Sequence, residues 1–304
     1  MQRVRSETEN KFKGEVIMKP HVKTFFDEET FTASHVVSDP ATKKAAIIDS
    51  LLNYDAASGR TKTKSADDII AYVRRNDLTV EWILETHVHA DHLTAAPYLK
   101  EKLGGKTGIG AKIDVVQGVF AKIFNAESAF KRDGSQFDRL FGDGETFKLG
   151  TIDAKLIHTP GHTPACTTIV IGDAAFVGDT LFMPDYGTAR CDFPGGDAAT
   201  LYRSIQKIFA LPGETRIFLC HDYKAPGRDE FIWETTVAEE RAKNIHVRDG
   251  VSEAEFVKMR EARDKTLAMP RLILPSVQVN MRAGDMPPAE DNGVTYLKMP
   301  VNQF

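Results

Sequence analysis

The chain has 304 residues, 42% of them hydrophobic, and a formal net charge of −4. This is enough to bury a sizeable core, and the acidic balance without any Lys/Arg-rich run argues against a nucleic-acid partner. No apolar stretch approaches the ~18 residues that a membrane span requires. The three cysteines, Cys166, Cys191 and Cys220, form no Cys-x-x-Cys pair and suit a reducing compartment better than a disulfide framework.

Residues 1–17 are polar with both charges interspersed and are expected to be a disordered leader or an added extension, with a single domain over 18–304. They contain no hydrophobic segment for a signal peptide, and Glu7 and Glu9 fit a transit peptide poorly, so the cytoplasm is the expected compartment. Lys23–Phe26 and Thr30–Val37 flank Asp27-Glu28-Glu29 as a hairpin, and Ala45–Asp49 reads as a buried strand ending in a carboxylate. Tyr54 to Thr63 reads as a polar loop. Ser65 is expected to cap a helix whose inner face carries Ile69, Ile70 and Val73. A strand over Trp82–Leu84 then leads to Thr86-His87-Val88-His89-Ala90-Asp91-His92, with a helix expected from Leu93 to Leu103.

Further on, Thr107–Ile109 is a short strand and Gly142-Asp143-Gly144 a turn. Strand-like runs at Ala154–Ile157, Ala174–Val177 and Arg216–Leu219 each precede a metal-type residue: His162, Asp179 and His221. Ala198 to Leu211 is an amphipathic helix with Leu201, Ile205 and Ile208 inward. Thr235–Ile245 and Ser252–Leu267 are charged helices, the second opened by a Ser252/Glu255 capping box. From Met269 the prolines and polar residues suggest an irregular tail.

Three imidazoles and a carboxylate within six residues supply the neutral nitrogen and anionic oxygen donors that a divalent transition metal needs. With His162, Asp179 and His221, four clusters of metal-type residues stand at four strand ends. An isolated histidine such as His21, His35 or His246 is better read as an ordinary core or surface residue. Two uses of the set stay open. Two metals could be held, one by His87, His89, His162 and Asp179, the other by Asp91, His92, His221 and a bridging Asp179, and would activate water for hydrolysis. Alternatively, two histidines and one carboxylate could hold a single iron(II) with open positions for substrate and dioxygen.

The order His-x-His-x-Asp-His, Gly161-His162-Thr163, Gly178-Asp179 and a late His221 resembles the metallo-β-lactamase superfamily over roughly residues 20 to 225. The resemblance implies an α/β fold, a four-layer αββα sandwich with metal at one sheet edge. Tyr186-Gly187-Thr188-Ala189-Arg190-Cys191-Asp192-Phe193, His162-Thr163-Pro164-Ala165-Cys166 and His221-Asp222-Tyr223 resemble the persulfide dioxygenase (ETHE1-like) branch. The polar segment Leu51–Thr63 and the long stretch after His221 favour the bacterial β-lactamase-like hydrolase type within it.

That branch implies one Fe(II) per chain on His87, His162 and Asp179, with His89, Asp91, His92 and His221 around them as further donors or supports. The implied reaction takes glutathione persulfide and O2 to sulfite and glutathione. Glutathione carries two carboxylates, so Arg228 and Lys224, ranked above Arg190, are expected at the substrate together with Tyr223 and Tyr186. Arg190 beside Asp192 also reads as a structural pair, and the cysteines as packed, inert thiols. Asp49, Asp91 and Asp222 are candidates for fixing the ligand imidazoles. The alternatives are a dinuclear Zn(II) thioester hydrolase of the glyoxalase II type and, behind it, a non-enzymatic metal-bearing sensor. Whether the chain forms a homo-oligomer is left open.

Overall fold

In a computed structural model, residues 19–303 are described; the expected leader lies outside them. Two six-stranded sheets face each other. The first has the order β1 (His21–Asp27), β2 (Thr32–Ser38), β3 (Lys44–Ile48), β6 (Thr79–Leu84), β7 (Lys106–Gly110), β8 (Arg139–Phe141). The second runs β14 (Glu234–Thr236), β13 (Arg216–Phe218), β12 (Ala174–Phe176), β11 (Thr167–Ile171), β10 (Ile152–His158), β9 (Thr146–Leu149). The period-two side-chain alternation of a strand decides the layering. On β3, Ala46 and Ile48 join Leu156, Ile169 and Phe176 between the sheets, while Ala45 and Ile47 pack outward against helices. On β13, Phe218 faces inward and Ile217 outward in the same way.

The outer faces are covered by helices. Ile69, Ile70 and Val73 of α1 (Lys64–Arg75) and Leu99 of α2 (Ala96–Leu103) cover the first sheet. Leu201, Ile205 and Ile208 of α4 (Ala198–Phe209), Val237 of α5 (Val237–Lys243) and Phe256 of α6 (Glu253–Asp264) cover the second. The fold is therefore the expected αββα sandwich. α3 (Ile113–Ile123) forms a side cluster with α7 (Ile273–Asn280). No helix among the described residues is long and apolar enough to cross a membrane.

Several local expectations are corrected. The segment read as a polar loop contains a hairpin, β4 (Asn53–Asp55) with β5 (Arg60–Lys62), whose turn is held by Asp55 accepting from Ala57 N and Ser58 Oγ. Ser65 is not the cap of α1. The helix starts one residue earlier, and Asn53 Oδ1 accepts the Ser65 N–H at 3.0 Å, so the cap comes from β4. α2 begins at Ala96 rather than Leu93, because Leu93 pairs with Leu52 and Thr94 Oγ1 accepts the Ala96 N–H. Thr235 and Thr236 belong to β14, ahead of α5. The tail expected to be irregular contains α7. The Ser252/Glu255 capping box is formed on α6.

Glu240 on α5 yields a stability prediction. Its Oε2 accepts from Asn244 Nδ2 at 2.7 Å, Oε1 has no partner among the described residues, and burial pushes the carboxyl up to about 8. Unfolded, it would titrate near ~4.3, so between these values the folded state binds the extra proton. Its contribution is complete below the unfolded value and is lost as pH rises through the folded one, by up to about 5 kcal/mol. Glu240→Gln should remove this slope. The difference between urea midpoints at pH 5 and pH 9 should be smaller in the variant than in the parent.

Candidate active site

The loop Glu85–His92 leaves the end of β6 between the two sheets, and backbone and buried carboxylates set its rings. Thr86 Oγ1 donates to Asp49 Oδ2 at 2.8 Å, so it accepts from His87 Nδ1 at 3.0 Å. His162 Nδ1 donates to the Arg190 carbonyl at 2.8 Å, and His221 Nδ1 to the Phe31 carbonyl at 3.0 Å. Each bond places the proton on Nδ1 and leaves Nε2 as a lone pair, the tautomer a metal ligand requires. Burial holds His87 well below the usual histidine range, and the neighbouring His89 and His162 add to this. Gly178, at φ +51°, lets the chain pass behind this ring; a Cβ there would lie 2.4 Å from Thr86 Oγ1.

His87 Nε2, His92 Nε2, His221 Nε2, Asp91 Oδ2 and Asp179 Oδ1 are buried without a hydrogen-bond partner among the described residues. Asp91 Oδ2 lies 2.7 Å from His221 Nε2, in contact but without a hydrogen bond. Buried polar atoms are ordinarily satisfied, so orphans that fall into groups of donor atoms fit residues arranged to hold a cation. His87, His162 and Asp179 bring donor atoms within 4.8 Å of one another. His89 does not join them but groups with Asp91, His92 and His221. Its Nε2 lies 3.0 Å from Asp49 Oδ1 and 3.2 Å from Glu85 Oε2, and its Nδ1 lies 4.0 Å from Cys220 Sγ.

A cavity of about 440 Å³ opens over Asp91, His162 and Asp179. Phe182, Phe193, Tyr186 and Tyr223 line it, so both expected tyrosines stand on its wall. Arg190 lines it too, but Nε and Nη2 donate to Asp192 at 2.6 and 2.8 Å and Nη1 to the Ala268 carbonyl at 2.6 Å. The two basic residues ranked first are not on this wall. Arg228 is clamped between Asp185 and Asp222, with Nη1 2.5 Å from Asp222 Oδ2, and Lys224 Nζ sits 4.1 Å over the Phe231 ring. Of the carboxylates expected to fix imidazoles, Asp49 holds Thr86 and His89, whereas Asp222 holds Arg228.

The cations that sequence reading missed are Arg260, Arg263 and Arg271, which reach the wall from α6 and from the segment before α7. Asn280 was missed as well. Its Nδ2 donates to the His89 and His92 carbonyls at 2.8 and 2.7 Å, and its Oδ1 accepts from Thr94 N at 2.9 Å. No local motif marks it, because it lies 191 residues beyond His89. His35 and His246 are satisfied core residues as expected: His35 Nε2 donates to the Leu219 carbonyl, and His246 Nδ1 accepts from Thr188 N. All three cysteines are buried and free, and burial pushes the Cys166 thiol up to about 12.

The metallo-beta-lactamase superfamily model matches residues 28–221. A probable metallo-hydrolase of Burkholderia pseudomallei is 57% identical over 92% of this chain and 99% of its own length. The mitochondrial persulfide dioxygenase ETHE1 of Homo sapiens is 30% identical over 88% of this chain and 90% of its own. The crystal structure of ETHE1 from Myxococcus xanthus superposes with a TM-score of 0.69 at 30% identity, covering 87% of this chain and all of that one. With its family model running from β2 to β13 across the two sheets and every strand-end donor in place, the chain belongs to the metallo-beta-lactamase superfamily.

Proposed function

We propose that the protein is a persulfide dioxygenase that oxidises glutathione persulfide with O2 and water to glutathione and sulfite. The carrying observation is that His87, His162 and Asp179 group together while His89 is drawn to Asp49 and Glu85. This leaves two histidines and one carboxylate beside an open cavity, the donor set suited to a non-haem iron(II). The 30% identity to persulfide dioxygenases and the Arg190–Phe193 element on the wall support the same reading. When bound, iron(II) would supply the dioxygen and redox chemistry that amino-acid side chains lack.

The protein's own residues do the remaining work. Thr86 and the Arg190 carbonyl fix the His87 and His162 rings so that Nε2 faces the site. Asp179 contributes the anionic donor. Phe182, Phe193 and Tyr223 give the cavity an aromatic wall that excludes bulk water around the sulfur. Overall, the terminal sulfur loses four electrons to one O2, its bond to the carrier sulfur breaks, and the carrier leaves as the thiol.

A second reading has its own observation. The orphaned His92 Nε2, His221 Nε2 and Asp91 Oδ2 form a second donor group, which would suit a dinuclear zinc hydrolase acting on thioesters. Product analysis separates the two. Sulfite formed from glutathione persulfide with O2 consumed one for one supports the proposal. Oxygen-independent cleavage of S-lactoylglutathione, with no sulfite formed, would overturn it.

A further inference from the structure

Four arginines line the cavity, and three of them are already committed. Arg190 is held by Asp192 and the Ala268 carbonyl. Arg271, at the rim, pairs with Glu29 at 2.9 Å. Arg260 is 1% exposed; its Nε donates to Asp264 at 2.8 Å and its Nη1 to the Thr188 carbonyl at 2.9 Å. Its Nη2, although 2.7 Å from Asp264 Oδ1, makes no hydrogen bond. Arg263 sits three residues further along α6, and among the described residues its side chain has no ion pair or hydrogen bond. A buried guanidinium nitrogen without a hydrogen bond and an exposed guanidinium with no ion pair among the described residues, both on the same wall, together mark a place for an anion.

We propose that Arg263, backed by Arg260, binds an anionic group on the carrier portion of the substrate, a carboxylate or a phosphate, and so selects which persulfides enter. The proposal rests on the cavity being a persulfide site, but the binding it describes can be measured without turnover. A guanidinium suits either anion because its planar fork engages two oxygens at once. Arg228, one of the two residues the sequence favoured for this task, has no such capacity to spare, since two carboxylates already neutralise it.

The test is calorimetric titration of the metal-loaded full chain with glutathione, with glutathione diethyl ester, whose carboxylates are capped, and with coenzyme A, which carries phosphates. Arg263→Ala should weaken glutathione or coenzyme A binding about tenfold or more, and Arg263→Lys should recover part of it. Ester binding should be the same in parent and variant. Whichever ligand shows the loss identifies the anion as carboxylate or phosphate. The KM for the matching persulfide should rise in parallel, with kcat within about twofold. Arg263→Ala binding both anionic ligands like the parent, a parent that binds neither, or an equal loss for the ester would each overturn the inference. If the anion dependence holds but the persulfide consumes no oxygen, the inference stands and the dioxygenase reading fails.

Discussion

Asp179→Asn is expected to fold like the parent and to lose turnover by on the order of a thousandfold or more, together with its metal. Asp179 lies in a short turn after β12, at the floor of the cavity. Its Oδ1 is buried without a hydrogen bond, 3.5 Å from His221 Nε2, and Oδ2 lies 3.7 Å from His162 Nε2. No hydrogen bond within the described residues depends on this carboxylate, so the isosteric amide should cost the fold little. The amide removes the single anionic donor of the proposed ligand set, leaving two neutral imidazoles to hold a dication. Elemental analysis, oxygen uptake and thermal unfolding of the variant check this. Retained metal with near-parental turnover would show that Asp179 is not a ligand.

Asn280→Ala is expected to act from the far end of the chain. Three hydrogen bonds tie this side chain to the backbone of the His89–Thr94 loop, and all three groups it serves are buried. Truncation leaves two carbonyls and one N–H without partners, at a cost of about 2–4 kcal/mol. The loop also carries Asp91 and His92 and continues from His87, so metal affinity should fall by roughly 10–100-fold, as when other groups supporting a metal site are lost. Urea unfolding measures the first effect and iron titration the second. Asn280→Asp keeps the acceptor for Thr94 N but sets a buried carboxylate oxygen against the His89 and His92 carbonyls, so it should be at least as damaging as Ala. Lower stability with unchanged iron affinity would make Asn280 a purely structural residue.

What the sequence disclosed depended on whether the signal was local. The His87–His92 run, His162, Asp179 and His221 were legible because each follows an apolar strand, and the sheets deliver strand ends to one edge. The inward and outward faces of α1 and α4 were legible from helical spacing. The β4–β5 hairpin was not, because its strands are short and its turn is held by Asp55 rather than by a standard two-residue turn. The cap of α1 was misplaced because its acceptor, Asn53, lies on another element.

The arginine wall was misassigned for a similar reason. Arg228 and Lys224 lie close to His221 in sequence, yet Asp185, Asp222 and Phe231 occupy them. Arg260 and Arg263 stand 39 and 42 residues beyond His221 and reach the cavity only because α6 packs on α4. Proximity along the chain was a poor guide to proximity in space.

In the proposed reaction one metal ion, held by His87, His162 and Asp179, is sufficient. Metal-free protein titrated anaerobically with iron(II), then assayed for oxygen uptake on glutathione persulfide, tests it most directly. The expected result is activity that rises linearly and saturates at one equivalent of iron per chain, with zinc giving none. Saturation only at two equivalents, or activity with zinc and without oxygen, would contradict it.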